Sequence, residues 1–141
     1  MKMITALALS ALIITGCTSN SKKTEETHNY HEIRENIIAW NEVFLQDSND
    51  YLVYFYSERC GHCNEIKQDV LSFYFKHLID MYFVCTDIEV VFGQYKDLTD
   101  IDCIDDFYIF GTPFLTRLSE NKISDYYVGS NAIKEYVNQF K

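Results

Sequence analysis

"YLVYFYSERCGHC", residues 51–63, runs six apolar or aromatic residues straight into two cysteines spaced two apart. A continuous run of that kind suits a strand buried on both faces. After Cys63, Ile66, Val70, Phe73 or Tyr74, and His77 or Leu78 recur at helical spacing, so a helix is expected from the cysteine pair to about Ile79. A helix that opens at Cys60 offers free backbone N–H groups and the positive end of its dipole, which favour thiolate at the first cysteine. Cys60 is therefore the expected nucleophile. Cys63, one turn on, is placed to attack a mixed disulfide and release the partner.

Outward from this stretch, Ile33, Ile37, Trp40 and Phe44 step by four, three and four, the pattern of one face of an amphipathic helix, which "DSND" (47–50) then breaks. "MYFVCTDI" from Met81 reads as a strand, and "KDLTDIDCIDDF" (96–107) as a short acidic helix. "FLTRL" (114–118) and "ISDYYVG" (123–129) read as a hairpin across "SENK". Ser130 is expected to cap a last helix with Ile133, Tyr136, Val137 and Phe140 on its inner face. Strands alternating with helices and ending in a hairpin imply an α/β fold, a mixed central sheet with helices on both faces. One domain, residues 30–141, fits the length, and the 48% hydrophobic content is that of a globular chain. Eleven Tyr, ten Phe and a single Pro point to an aromatic-packed core.

These motifs together resemble the thioredoxin superfamily over residues 30–141. Residues 51–63 are similar to the family's first central strand and active-site loop. "FGTPFL" (110–115) resembles the loop whose proline, Pro113 here, is cis in the family and packs against the disulfide, with Thr112 beside it. "YYVGSNAIKEYVNQF" (126–140) resembles the closing strand, glycine and helix. The resemblance implies a thiol–disulfide oxidoreductase with Cys60 and Cys63 catalytic, and no organic cofactor. Gly61-His62 is the dipeptide of protein disulfide isomerases, and a positive His62 near Cys60 would favour the reduced form, making the disulfide a better oxidant. The alternative is a solvated His62 without a tuning role. Two positions depart from the family. Arg59 replaces a Trp and would lower the Cys60 pKa by its charge; Tyr54 stands where the family buries an acid that assists proton transfer.

The N-terminus reads as an address. Lys2, an apolar run from Met3 to Ile14 and small residues before Cys17 give residues 1–16 the layout of a secretory signal. "ITGC" (14–17) looks like the lipobox of bacterial lipoproteins, which implies cleavage before Cys17 and a diacylglycerol on its thiol. An uncleaved anchor, or a cleaved signal with a stray cysteine, is the alternative. Residues 17–29 then form a polar, lipidated tether, and the domain works on the extracytoplasmic face of a bacterial cell membrane, where disulfides persist. Expected partners are exported client proteins carrying thiols or disulfides and a membrane redox partner that the sequence does not identify, with the chain itself a monomer. The net charge of −9 without a basic run argues against nucleic acid.

Cys85 and Cys103 make a second possible pair, expected as a structural disulfide, with two buried free thiols as the alternative. No metal is expected: beyond Cys60 and Cys63 the candidate ligands are His62, His77, Cys85 and Cys103, without a second CxxC or an HxxxH. His28 and His31 are expected to be exposed, and the acidic residues Asp97, Asp100, Asp102, Asp105 and Asp106 to form a solvated face. A rival to the enzyme is a non-catalytic binding or accessory module that holds one secreted peptide or protein.

Overall fold

The apolar run becomes β1 (Asp50–Tyr56), in which every residue after Asp50 is buried. Tyr51 keeps its phenol inside by donating its O–H to the Val43 carbonyl at 2.9 Å. The structure, a computed structural model, describes residues 26–140. Cys17, the expected leader (1–16) and most of the expected tether lie outside the described residues.

From β1 the chain continues through α1 (Gly61–Lys76), β2 (Asp80–Cys85), β3 (Phe114–Ser119), β4 (Lys122–Val128) and α2 (Gly129–Asn138). The sheet order is β2-β1-β3-β4, with β1 parallel to β2 and antiparallel to β3, so the sheet is mixed. The β3–β4 turn places Glu120 and Asn121 at φ 52° and 60°, the left-handed pair that a two-residue hairpin turn needs. Asp50 and Arg117 clamp the base of β1 and β3 through a two-pronged ion pair at 2.6 and 2.8 Å.

Because side chains alternate along a strand, β1 feeds two cores. Leu52, Tyr54 and Tyr56 meet α1 and α2, which both lie on that face. Tyr51, Val53 and Phe55 meet Trp40, Val43, Leu98 and Phe107 on the other. Both faces are covered as expected, but by different means: two α-helices on one side, short 3-10 turns and irregular chain on the other.

The expected first helix is not one helix. A 3-10 segment (Tyr30–Asn36) stops at Ile37, which bridges to Phe83 of β2, and a second 3-10 turn (Trp40–Glu42) follows. Ile33 packs in the helix-side core while Trp40, Val43 and Phe44 pack in the opposite one. The segment therefore wraps the sheet edge. Each large side chain so buried contributes about 1.5–3 kcal/mol, more than the few tenths per residue that helix propensity offers, so burial decides. The acidic stretch 96–107 is likewise no α-helix. Leu98 and Phe107 are buried, but only Ile104–Asp106 forms a 3-10 turn. Ser130 does not cap α2: the cap position is Val128, without a side-chain bond, and Gly129 enters the helix at φ +84°.

At the entry to the domain, Asn29 accepts the His31 N–H at 2.9 Å while Glu32 accepts the Asn29 N–H at 2.6 Å, a reciprocal cap. His28 exchanges two hydrogen bonds with the Gln68 amide on α1, at 2.9 and 2.7 Å. Its ring lies 4.4 Å from that of Phe75 and is 13% exposed, so His28 is not the exposed residue expected; His31 is exposed.

Candidate active site

Cys60 is the N-cap of α1, and Cys63 lies one turn into the helix. The two are joined as a disulfide with Cα atoms 5.2 Å apart. The Cys63 N–H donates to Cys60 Sγ at 3.1 Å, one of the free first-turn donors. Cys63 is 1% exposed whereas Cys60 is only half-buried. Of the two sulfurs, Cys60 is therefore the more accessible.

The loop before β3 completes the site. The Thr112–Pro113 peptide is cis, and the Thr112 carbonyl oxygen lies 3.4 Å from Cys60 Sγ. Pro113 is buried, and its carbonyl accepts the Gly129 N–H at 3.0 Å, which ties the loop to the start of α2. Gly61 is exposed with open space around it. His62 is exposed and pairs through Nδ1 with Glu65 at 3.2 Å. Arg59 is also exposed, and its guanidinium lies 3.6 Å from Asp87, so its charge is shared with a carboxylate rather than given to Cys60 alone.

Asp87 is a site residue that sequence reasoning missed. It accepts the Ser57 hydroxyl at 2.8 Å and the Glu58 N–H at 2.9 Å, besides facing Arg59. These bonds, Ser57's first, hold its carboxyl below the usual range. It thereby fixes the three residues that precede Cys60. No motif marks it; only the parallel pairing of Tyr56 with Cys85, extended by two residues, brings 86–87 beside the loop at 57–59.

In the helix-side core that also holds Cys63, Tyr54 is fully buried and its hydroxyl makes no hydrogen bond of ordinary geometry; nor does that of Tyr30. Burial pushes both phenols well above their ordinary pKa, and each raises or tempers the other through a close electrostatic approach. The position that differs from the family is thus filled by a neutral aromatic. Tyr30 stacks on Tyr56 at 3.9 Å, with Lys67 Nζ 4.7 Å above the Tyr30 ring.

The expected Cys85–Cys103 disulfide is not formed. Both are free thiols. Cys85 packs at the rim of the helix-side core, while Ile101 and Ile104, which flank Cys103, pack in the opposite core. Cys85 lies 3.7 Å from Asp87, and Cys103 donates to Asp106 at 3.3 Å. Burial raises the Cys85 thiol, and the bond to Asp106 raises that of Cys103. Among the described residues no group of three or more His, Cys, Asp or Glu side chains could hold a metal ion.

A mixed sheet with this order, a strand running into a CxxC disulfide at a helix N-terminus and a cis-proline loop against it define a thioredoxin-like domain. The thioredoxin family model matches residues 31–140, and the chain belongs to that family. In structure it is similar to mitochondrial thioredoxin 3 of Saccharomyces cerevisiae in its oxidised form, with a TM-score of 0.51, 9% identity, and 74% of this chain and 93% of that one covered. A thioredoxin of Nicotiana alata gives 0.49 at 15% identity, covering 74% and 89%; that of Fasciola hepatica gives 0.47 at 16%, covering 79% and 90%. No curated protein matches. The family fold and the vicinal disulfide support thiol–disulfide exchange as the general chemistry.

Proposed function

We propose that the domain is an extracytoplasmic thiol–disulfide oxidoreductase that exchanges disulfides with exported client proteins, held at a bacterial cell membrane by a lipid on Cys17. The observation that carries the chemistry is the half-buried Cys60 over a buried Cys63, at a helix N-terminus and against the Thr112 carbonyl. In the oxidising direction a client thiolate attacks Cys60 Sγ. The Cys60–Cys63 bond breaks, and Cys63 leaves with the electron pair and takes a proton. A second client thiolate then attacks the client sulfur of the mixed disulfide, releasing Cys60 as the thiolate. The client has lost two electrons and the pair has gained them. Reduction of a client is the same path reversed, and a membrane redox partner resets the pair. The address rests on the signal-like residues 1–16, "ITGC" and the polar tether; no helix among the described residues is long and apolar enough to cross a membrane.

The test is equilibration of the full chain against glutathione buffers, read by alkylation and mass. A potential near that of disulfide isomerases supports an oxidase or isomerase, and one near thioredoxin's supports a reductase. A second reading, a binding or accessory module for a secreted peptide or protein, draws on Tyr54, since the site lacks the family's buried acid. Failure of the pair to cycle, with the cellular phenotype kept by a Cys60→Ser, Cys63→Ser chain, would overturn the enzyme in its favour.

A further inference from the structure

Between β2 and β3 the chain runs from residue 86 to 113 with a single 3-10 turn. Connections of more than about 12–15 residues without regular structure are uncommon in compact domains and tend to be functional. This one is not loose. The Gly93 N–H donates to the Ile109 carbonyl at 3.0 Å and the Ile109 N–H to the Val91 carbonyl at 3.0 Å, so Phe92 bridges Ile109. Gly93 passes under the Tyr108 ring, where a Cβ would come within 2.2 Å of the ring carbons, so only glycine admits that approach. Yet, while Val90 packs inward against the core and the Tyr95 ring leans on Phe110, the fixed ribbon leaves its other apolar side chains outward: Ile88 is 89% exposed, Val91 50% and Phe92 57%. Contiguous exposed apolar side chains on an ordered backbone mark an interaction surface.

Its placement names the partner. Ile88 follows Asp87, which holds residues 57–59 immediately before Cys60. At the other end Phe92 is pinned to Ile109, three residues before the Thr112 whose carbonyl meets Cys60 Sγ. Both ends of the ribbon are tied into the two loops that flank the disulfide. With the Arg59–Asp87 pair set aside, the ribbon and its neighbours still carry Glu58, Glu89 and Asp97 against Lys96, an acidic balance. We infer that residues 88–95 form a client-recognition ribbon that takes an extended polypeptide segment bearing apolar side chains and Lys or Arg near its reacting cysteine. Apolar anchors bind Ile88, Val91 and Phe92, and the client's cations meet Glu58 and Glu89. This rests on the redox reading of the same site, which it supplies with a substrate class.

Fluorescence anisotropy of two labelled, cysteine-free peptides against the oxidised full chain tests it without any exchange chemistry. One peptide carries Phe, Leu and Lys; the other replaces these by Ser and Glu. The first should bind at least about tenfold tighter, and Ile88→Ser with Phe92→Ser should erase that margin while Ile88→Val with Phe92→Leu keeps it. Glu58→Gln with Glu89→Gln should reduce it about threefold and flatten its salt dependence. Equal affinity for the two peptides, or an undiminished margin in the serine variant, overturns the ribbon. So does sedimentation showing that the serine variant dissolves a dimer, since the occupant would then be a second copy. Exchange with glutathione, measured separately, decides the redox reading alone.

Discussion

Cys60 and Cys63 are joined, and Cys85 and Cys103 are not, although both pairs lie in one small domain. The first pair is three residues apart on one helical turn, so local geometry alone brings the sulfurs together. The second depends on where the chain carries each thiol: Cys85 packs at the rim of the helix-side core, while Ile101 and Ile104 beside Cys103 pack in the opposite one. Each free thiol has instead found a carboxylate two or three residues ahead, Asp87 for Cys85 and Asp106 for Cys103. Counting cysteines therefore gives a pairing only where topology permits it.

The largest expected effect separates the pairs by function. Cys60→Ser or Cys63→Ser should reduce exchange with a small disulfide by about a thousandfold or more, and Cys103→Ser should leave it within about twofold. Equal losses would join the two pairs into one mechanism. Next, alkylation of the oxidised protein under denaturing conditions, followed by peptide mapping, should label Cys85 and Cys103 before reduction and Cys60 and Cys63 only after it. An unlabelled Cys103 would break the contrast.

Smaller effects sharpen it. Cys103 is held protonated to higher pH by Asp106, so Asp106→Ala should lower its pKa and raise its alkylation rate at pH 8 about threefold, with Cys85 unchanged because burial leads there. Asp87 works in the opposite sense. With its carboxyl held low, it remains ionised at ordinary pH, and its grip on residues 57–58 is lost only as the pH falls through that lowered value. The protection of the Glu58 amide against exchange, corrected for the intrinsic rate at each pH, should therefore fall in acid, and at neutral pH in Asp87→Ala. The smallest effect lies in the helix-side core. Tyr54→Phe removes a buried hydroxyl that faces the Tyr30 hydroxyl without a bond of ordinary geometry and should change stability by no more than about 1 kcal/mol, whereas Tyr51→Phe removes the bond to Val43 and should cost about 0.5–1.5 kcal/mol, both read from urea midpoints.

The same contrast between local and distant explains what the sequence could show. β1, α1, the hairpin and the CxxC were legible because their signals are periodicities and spacings inside one element, and the proline loop through the resemblance to the thioredoxin superfamily. The segment 30–46 was not, because its apolar residues share a helical period but pack on two faces of the sheet. Stretch 96–107 failed as a helix for a related reason: Leu98 and Phe107 are buried in one core through irregular chain, not on one helical stripe. Asp87 carries no motif, and its role appears only once the β1–β2 register is known.

The wrap of residues 36–38 around β2 also bears on association. The Met81 carbonyl accepts from the Asn36 amide at 3.1 Å and the Phe83 carbonyl from the Ile38 N–H at 2.8 Å, so the outer rim of β2 is already occupied by the chain itself. An intruding strand meets no vacant ladder there. The opposite rim is β4, where Lys122, Ser124 and Asp125 stand exposed and a register shift opposite Arg117 and Leu118 disturbs the pairing. β4 too is paired by the chain itself at Ile123, whose N–H donates to the Ile101 carbonyl at 2.9 Å and whose carbonyl accepts the Asp100 N–H at 2.8 Å, so self-pairing covers part of both rims and leaves an intruding strand little open ladder.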